Sequence, residues 1–425
     1  MKNRGAIIYL FLANSISGIA QGISMIAIPW YLTSSLNMPT FFGTLYASLT
    51  FLALFWGLWV GSMIDKYNRK NIFLGISAVG AVVVLSTAFT GFYNGGLHYG
   101  FAALIFGLTF FIYSVHYPNL YAFAQEISEP AYYGRITSYI EIQGQFTNMM
   151  GGACAAILLS GITAGPFDLF GYVLEQPFTV EKWELHEIFL LDGSTYVLAF
   201  LLISLMKYER IADLEKDTGT ILQRVKFGFN YLWSNKMILL FGISTFAVFV
   251  TVLVVGFYLI PIYVTKHLER GAGVYAIADV FFAFGALLAG IGIRQVFRKL
   301  TSVQTILTLA TLTASVYFFY MYNSNIPLFY LAMMLVGMSN AGIRITRMTY
   351  IFKHIPNNVI GRAGSLFGMT NVFLRMSLIG LFTLPFFIEG DNIIYPFMIM
   401  GFFILLSNVP LVMYYRALEN PQAKH

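Results

Sequence analysis

"GSMIDKYNRK", residues 61–70, settles how the rest of the chain is read. A glycine, Gly61, is followed four residues on by Asp65 and eight and nine on by Arg69 and Lys70. Long apolar runs flank the stretch on both sides. The same skeleton returns 229 residues later as "GIGIRQVFRK" at 290–299. Two more islands repeat at nearly the same offset. "IPWYLTSSL" at 28–36 recurs as "IPIYVTKHL" at 260–268, and "GRITS" at 134–138 as "GRAGS" at 361–365. Three islands in one order and at nearly constant offset are the signature of a duplicated unit.

The composition says where that unit lives. Of 425 residues, 58% are hydrophobic and only 10% charged, and the mean hydropathy is +0.72. A water-soluble chain carries about 25% charged residues, so most of this surface faces something other than water. A single cysteine, Cys154, excludes an internal disulfide. The first apolar run is too long for a signal peptide. Segments of about 20 apolar residues can span a bilayer, and twelve qualify: 6–32, 40–64, 71–92, 98–124, 135–160, 188–206, 237–264, 273–293, 302–322, 326–352, 360–386 and 393–415. The reading is an all-α integral membrane protein, with twelve transmembrane helices in two pseudo-symmetric six-helix bundles. Residues 1–206 form the first bundle and 237–425 the second. The linker, 207–236, carries Ile221, Leu222, Val225, Phe229, Leu232 and Trp233 at helical spacing, the pattern of an interfacial amphipathic helix. Residues 161–187 read as an aromatic loop folded on the opposite membrane surface.

Basic residues orient the spans. Among 25 lysines and arginines, only Lys182, Lys266 and Arg270 fall on the side opposite the N-terminus, and Arg344, Arg347 and Arg375 fall inside spans. All the others flank one face, which the positive-inside rule makes cytoplasmic. Both termini are therefore expected in the cytoplasm of a multi-pass inner-membrane protein. The net charge of +6 is spread over these loops, so a nucleic-acid partner is not expected.

The stretch 61–70 resembles the signature loop of the major facilitator superfamily, which is a glycine, an acid four residues on, then a basic cluster. The resemblance extends over the whole chain through the span count, the linker and the second copy at 290–299. "HYPNLYAFAQEISEP" at 116–130, "FAFG" at 282–285 and "IPNNVIGRAGSLFG" at 355–368 resemble the macrolide-efflux and enterobactin-exporter branch. Lys66 stands where the signature has arginine, and Asn68 where it has a second glycine. The fifth span, "GQFTNMMGGACAA" at 144–156, lacks the Gly-Pro pair common in the family's antiporters. The resemblance implies a gate built from Gly61, Asp65, Arg69 and Lys70. It would meet the start of the eleventh span at Arg362 or Asn358 and hold the outward-facing state. A carboxylate at Asp65 would sit near a helix N-terminus, with Arg69 and Lys70 on anionic headgroups. A merely solvated charge run is the plainer alternative. The resemblance also implies a monomer.

Charges inside the spans point to a site. At about 1.5 Å per residue, Arg344 lies about 13 Å from Lys353, Arg347 about 9 Å, and Arg375 about 20 Å from Arg362. Asp279 lies about 13 Å from Arg270, and Glu141 about 9 Å from Arg135. Polar residues share helical faces: Asn340, Arg344 and Arg347; Gly364, Gly368, Asn371 and Arg375; Glu141, Gln145 and Asn148; Asn14, Ser17, Gln21 and Ser24. Such stripes face a bundle interior or a cavity. His116 precedes its Gly-Arg arginine by 19 residues and Arg344 precedes its own by 18, so the two are nearly equivalent positions of the repeat.

The expected substrate-binding set is Arg344, His116, Arg375, Asn340, Asn14, Gln21 and Gln145. Asp279 or Glu141 is the expected proton-coupling carboxyl. Each has a plainer reading: Arg347 snorkelling to the interface, Arg375 in an ion pair with Asp279 or Glu141, and His116 as a satisfied core residue. The glycines of the fifth and eighth spans, Gly285 and Gly290 among them, are read as packing positions.

No P-loop occurs, and the histidines show no metal-ligand or catalytic spacing. Neither an enzyme nor a cofactor is expected. The reading is a secondary active transporter working by alternating access, coupled to protons and exporting a small anionic or amphipathic molecule of siderophore or drug type. An importer of an organic anion and a lipid translocase remain the alternatives.

Overall fold

The computed structural model describes residues 3–129, 133–162, 165–169, 172–176, 179–208, 221–355 and 357–419. The chain begins with α1 (Arg4–Trp30), which runs on through a π-helical turn, Tyr31–Ser35. There follow α2 (Pro39–Lys66), α3 (Arg69–Asn94), α4 (Tyr99–Glu126), α5 (Tyr133–Ser160) and α6 (Leu185–Ser204). The linker holds α7 (Ile221–Ser234). Beyond it come α8 (Lys236–Val254), a π-helical turn at Val255–Leu259, and α9 (Ile260–Lys266), which together make one span. Then come α10 (Ala272–Val296), α11 (Ser302–Tyr320), α12 (Ile326–His354), α13 (Asn357–Phe382), the short α14 (Pro385–Ile388), α15 (Ile394–Met413) and α16 (Tyr415–Glu419).

Ten of these stretches are long and apolar enough to cross a membrane, and α13 adds a shorter one at Leu366–Phe382. With the 28-residue α5, the twelve-helix expectation is met. The expected surface loop contains instead an antiparallel hairpin of β1 (Gly165–Leu169) and β2 (Tyr172–Gln176), in register from Gly165–Gln176 to Leu169–Tyr172. Pairing satisfies its backbone groups where the chain leaves the helices.

Local chemistry starts the helices where they start. The Asn68 side chain accepts from the Lys70 and Asn71 amides at 2.9 and 3.4 Å, capping α3. The departure from glycine at this position therefore has a use, since asparagine is among the best N-caps. Thr301 and Gln304 form a capping box on α11, and Asn325 caps α12.

The duplication is visible in the backbone. The Leu36 amide bonds the Tyr31 carbonyl at 2.9 Å, and 232 residues on the Leu268 amide bonds the Tyr263 carbonyl at 3.0 Å. The next residue in each copy is left-handed, Asn37 at φ 53° and Glu269 at φ 52°.

The helices pack as two compact units that interleave along the chain. One comprises Met1–Met38, Trp59–Glu215 and Glu269–Val280; the other comprises Pro39–Leu58, Lys216–Leu268 and Phe281–His425. In the first, α1 packs on α5 and α6, and α3 on α6. Leu10, Phe73, Phe123, Ile127, Ile136 and Ile203 fill its core. In the second, α11 packs on α12 and α15, and α8 on α13. There the Tyr263 hydroxyl lies 2.8 and 2.9 Å from the carbonyls of Tyr320 and Asn323, amid the rings of Tyr320, Phe329 and Phe397.

Close approach of α10 to α12 depends on two glycines. A Cβ at Gly285 would strike the Met334 carbonyl, and one at Gly337 the Phe282 carbonyl. Gly285 is thus a packing glycine as expected. Gly290 is not, for it faces open space. In α7, Leu232 is buried with Ile238, Ile351, Ile355 and Phe367, while Phe229 and Trp233 stack on each other, exposed, at 5.6 Å.

Candidate functional site

The signature stretch ties helix ends together within the first unit. Arg69 at the start of α3 is only 8% exposed, and its Nη1 donates to Glu126 Oε2 and the Ala122 carbonyl, both at 2.9 Å. A cation at a helix N-terminus and an anion at a helix C-terminus each oppose their own dipole. Pairing offsets both. Asn119 donates to the Arg69 carbonyl at 2.9 Å, fastening α4 a second time. The Lys70 ammonium donates to the carbonyls of Ser204 and Met206 at 2.9 and 2.8 Å, satisfying the open C-terminal end of α6. Arg69 and Lys70 are therefore spent on protein partners, which corrects the expectation that headgroups hold them. Gly61 falls within α2, and the side chains of Asp65, Arg362, Asn358 and Glu141 lie outside what is described.

The polar face of α1 organises the interior of the first unit. His116 Nε2 sits 2.7 Å from Asn14 Oδ1, and Asn14 Nδ2 donates to Gln143 Oε1 at 3.0 Å. With the Asn14 amide so committed, its oxygen accepts and the histidine Nε2 carries the hydrogen. Gln143 in turn donates to Ser15 and to the Phe11 carbonyl. Farther along α1, Gln21 donates to Ser17 at 2.6 Å, and Ser24 donates to Asp192 Oδ2 at 2.7 Å. A cavity bordered by Asn14, Ser17, Gln21, Phe73, His116 and Tyr196 opens on this face. A second recess shares Asn14, Gln21 and His116 and adds Tyr113 and Thr147.

The second unit holds the arginines. Arg347 is 4% exposed; its Nη1 donates to the Thr245 carbonyl at 3.1 Å and its guanidinium lies 3.7 Å from the centre of the Phe246 ring. Its Nε has no hydrogen-bond partner. This is burial against an aromatic face, so the snorkelling alternative is set aside. Arg344, one turn away, is partly exposed and within electrostatic reach of Arg347. Arg375, 9% exposed, lies over the Tyr46 ring at 5.9 Å. Asn371 is buried with its amide nitrogen unpartnered, and Asn340 is partly exposed.

The expected residues thus divide. His116, Asn14 and Gln21 come together in the first unit, where Gln145 is partly exposed. Asp279 also belongs to that unit, partly exposed and within electrostatic reach of Tyr113. Arg344, Asn340 and Arg375 belong to the second. Sequence reasoning missed two residues. Gln143, not Gln145, faces α1, and Asp192 is 0% exposed in the sixth span. Asp192 was legible as an acid in "FLLDGSTYVLAF", 189–200, beside Ser194, Thr195 and Tyr196, but the apolar run absorbed it. Among the described residues no cluster of histidine, cysteine and acids suits a metal ion.

Comparison with known proteins agrees with this architecture. The family model for the Major Facilitator Superfamily matches residues 10–377. No curated protein matches the sequence. Among solved structures, the nucleoside transporter NupG has a TM-score of 0.71 at 12% identity, over 97% of this chain and 99% of that one. A bacterial homologue of the iron transporter ferroportin, in its inward-facing state, has a TM-score of 0.71 at 14% identity, over 96% and 98%. A D-xylose-proton symporter has 0.67 at 12% identity, over 94% and 96%. At such identities the likeness is one of fold.

Proposed function

The chain belongs to the major facilitator superfamily, and from that premise we propose that it is a proton-coupled exporter of a small anionic or amphipathic molecule, working by alternating access. The observation that carries the substrate class is how intramembrane charge is sorted. Arg344, Arg347 and Arg375 all belong to the second unit; Glu141, Asp192, Asp279 and His116 all belong to the first. An arginine at mid-membrane costs about 2.5–3.5 kcal/mol even on lenient scales. A substrate carboxylate offsets that cost, and guanidinium binds it in a bidentate, charge-assisted pair. Arg344, partly exposed, is the contact residue, and buried Arg347 adds to its field. Protons would be carried apart from the substrate, on carboxyls of the first unit that include Asp279 and Glu141. The export direction is drawn from the resemblance of 116–130, 282–285 and 355–368 to the macrolide-efflux and enterobactin-exporter branch.

The gate is taken from the resemblance of 61–70 to the family's signature loop, with Asp65 as its acid. The test is purified protein in proteoliposomes with an internal pH dye, screened over anionic siderophores and common drugs. Transport of an anion should be accompanied by proton movement in the opposite direction. Arg344→Ala should abolish that transport while expression and thermal unfolding stay unchanged. Undiminished transport would overturn the anion site.

A further inference from the structure

The polar stripe of α1 has a titratable group at each end. Asn14, Ser17, Gln21 and Ser24 share one helical face over about 15 Å. Asn14 meets His116 at 2.7 Å at one end, and Ser24 meets Asp192 at 2.7 Å at the other. The cavity along this face reaches Tyr196, one turn beyond Asp192 on α6. Asp192 Oδ1 and the Tyr196 hydroxyl are both buried without a hydrogen-bond partner.

Among the described residues, the groups that face Asp192 include no cation. Facing it are Tyr196 from α6, the Ser24 hydroxyl from α1, and Tyr113 from α4, with Tyr117 and Asp279 of α10 beyond Tyr113. α3, packed on α6, has no ionisable side chain between Lys70 and Tyr93. An ionised carboxylate with one neutral donor is far more costly to bury than the acid. A buried acid with a spare oxygen, one turn from a tyrosine that borders the cavity, is placed to exchange a proton with it.

We infer that Asp192 is a proton-binding site of the transport cycle, joined to His116 along the α1 stripe. The inference rests on the proton-coupled reading above and names a carboxyl that this reading did not single out. The step is a simple proton transfer. The Asp192 O–H bond breaks, the proton passes to water in the cavity and on to the unprotonated His116 nitrogen, and the carboxylate left behind is reprotonated in the opposite state.

The experiment is pH-difference infrared spectroscopy on the full-length protein in phosphatidylethanolamine–phosphatidylglycerol vesicles. The wild type should show a protonated-carboxyl stretch that bleaches reversibly with alkali and that Asp192→Asn lacks. Ser24→Ala should shift that component to higher frequency, because the carbonyl loses its donor. Spectra of Asp192→Asn and wild type that match overturn the assignment. If Asp192→Asn does not fold, an unshifted band in Ser24→Ala overturns it alone. The pH dye in the same vesicles separates the two ideas. If no transported compound moves protons in the wild type, the coupled reading fails. If protons move equally in wild type and Asp192→Asn, only Asp192 fails.

Discussion

Arg69 and Glu126 meet at 2.9 Å from helix ends that each would leave electrostatically strained, and both are buried. Removing one partner of a buried pair costs about 3–5 kcal/mol, since the other charge stays behind. Arg69→Ala should therefore lower unfolding stability in detergent by about that amount. Arg69→Ala with Glu126→Gln should recover about 1–3 kcal/mol of it. Additive losses would mean the two act independently. The sequence showed Arg69 as part of a motif but gave no hint of its partner, 57 positions away, because an ion pair is a fact of distance. Arg344 and Arg347 show the same limit. Their spacing put both on one face, yet only packing distinguishes the arginine pressed on Phe246 from the one left partly exposed.

Helix α10 contains a comparison of its own. Gly285 and Gly290 look alike in sequence, but only the first is in backbone contact with α12. Gly285→Ala forces α10 and α12 apart and should cost about 1–3 kcal/mol, as overpacking does. Gly290→Ala fills open space and should stabilise by about 0.5–1 kcal/mol, because alanine loses less entropy in a helix. Thermal unfolding in detergent checks both, and equal effects would contradict the assignment. Apolar length and periodicity made the helices legible, including their number. Which glycine touches what depends on how one helix is rotated against the next, and a single chain's pattern does not encode that. Polar α5 behaves likewise. Its Gln145 stripe was legible, but Gln143 on another face meets Asn14.

Across the molecule, acids and arginines in separate units predict separable defects. For a compound that the wild type exports, Asp192→Asn should lose transport driven by a pH difference by about tenfold or more. It should keep substrate exchange at equal pH. Arg344→Ala should lose both, each measured with labelled compound in proteoliposomes. A uniform loss in Asp192→Asn would place it in the substrate site instead. The sequence by itself determined the bilayer-spanning class, the twelve helices and the duplication. Hydrocarbon demands long apolar helices, and a repeated unit must repeat its turns, as the left-handed Asn37 and Glu269 do. Only the tertiary structure decided which charges are buried, which are paired, and that Asp192 belongs with Ser24 and Tyr196 at the head of a polar track. Such groupings join residues far apart in the chain, 57 positions for Arg69 and Glu126 and 168 for Ser24 and Asp192, and their energies depend on the few ångströms that folding sets.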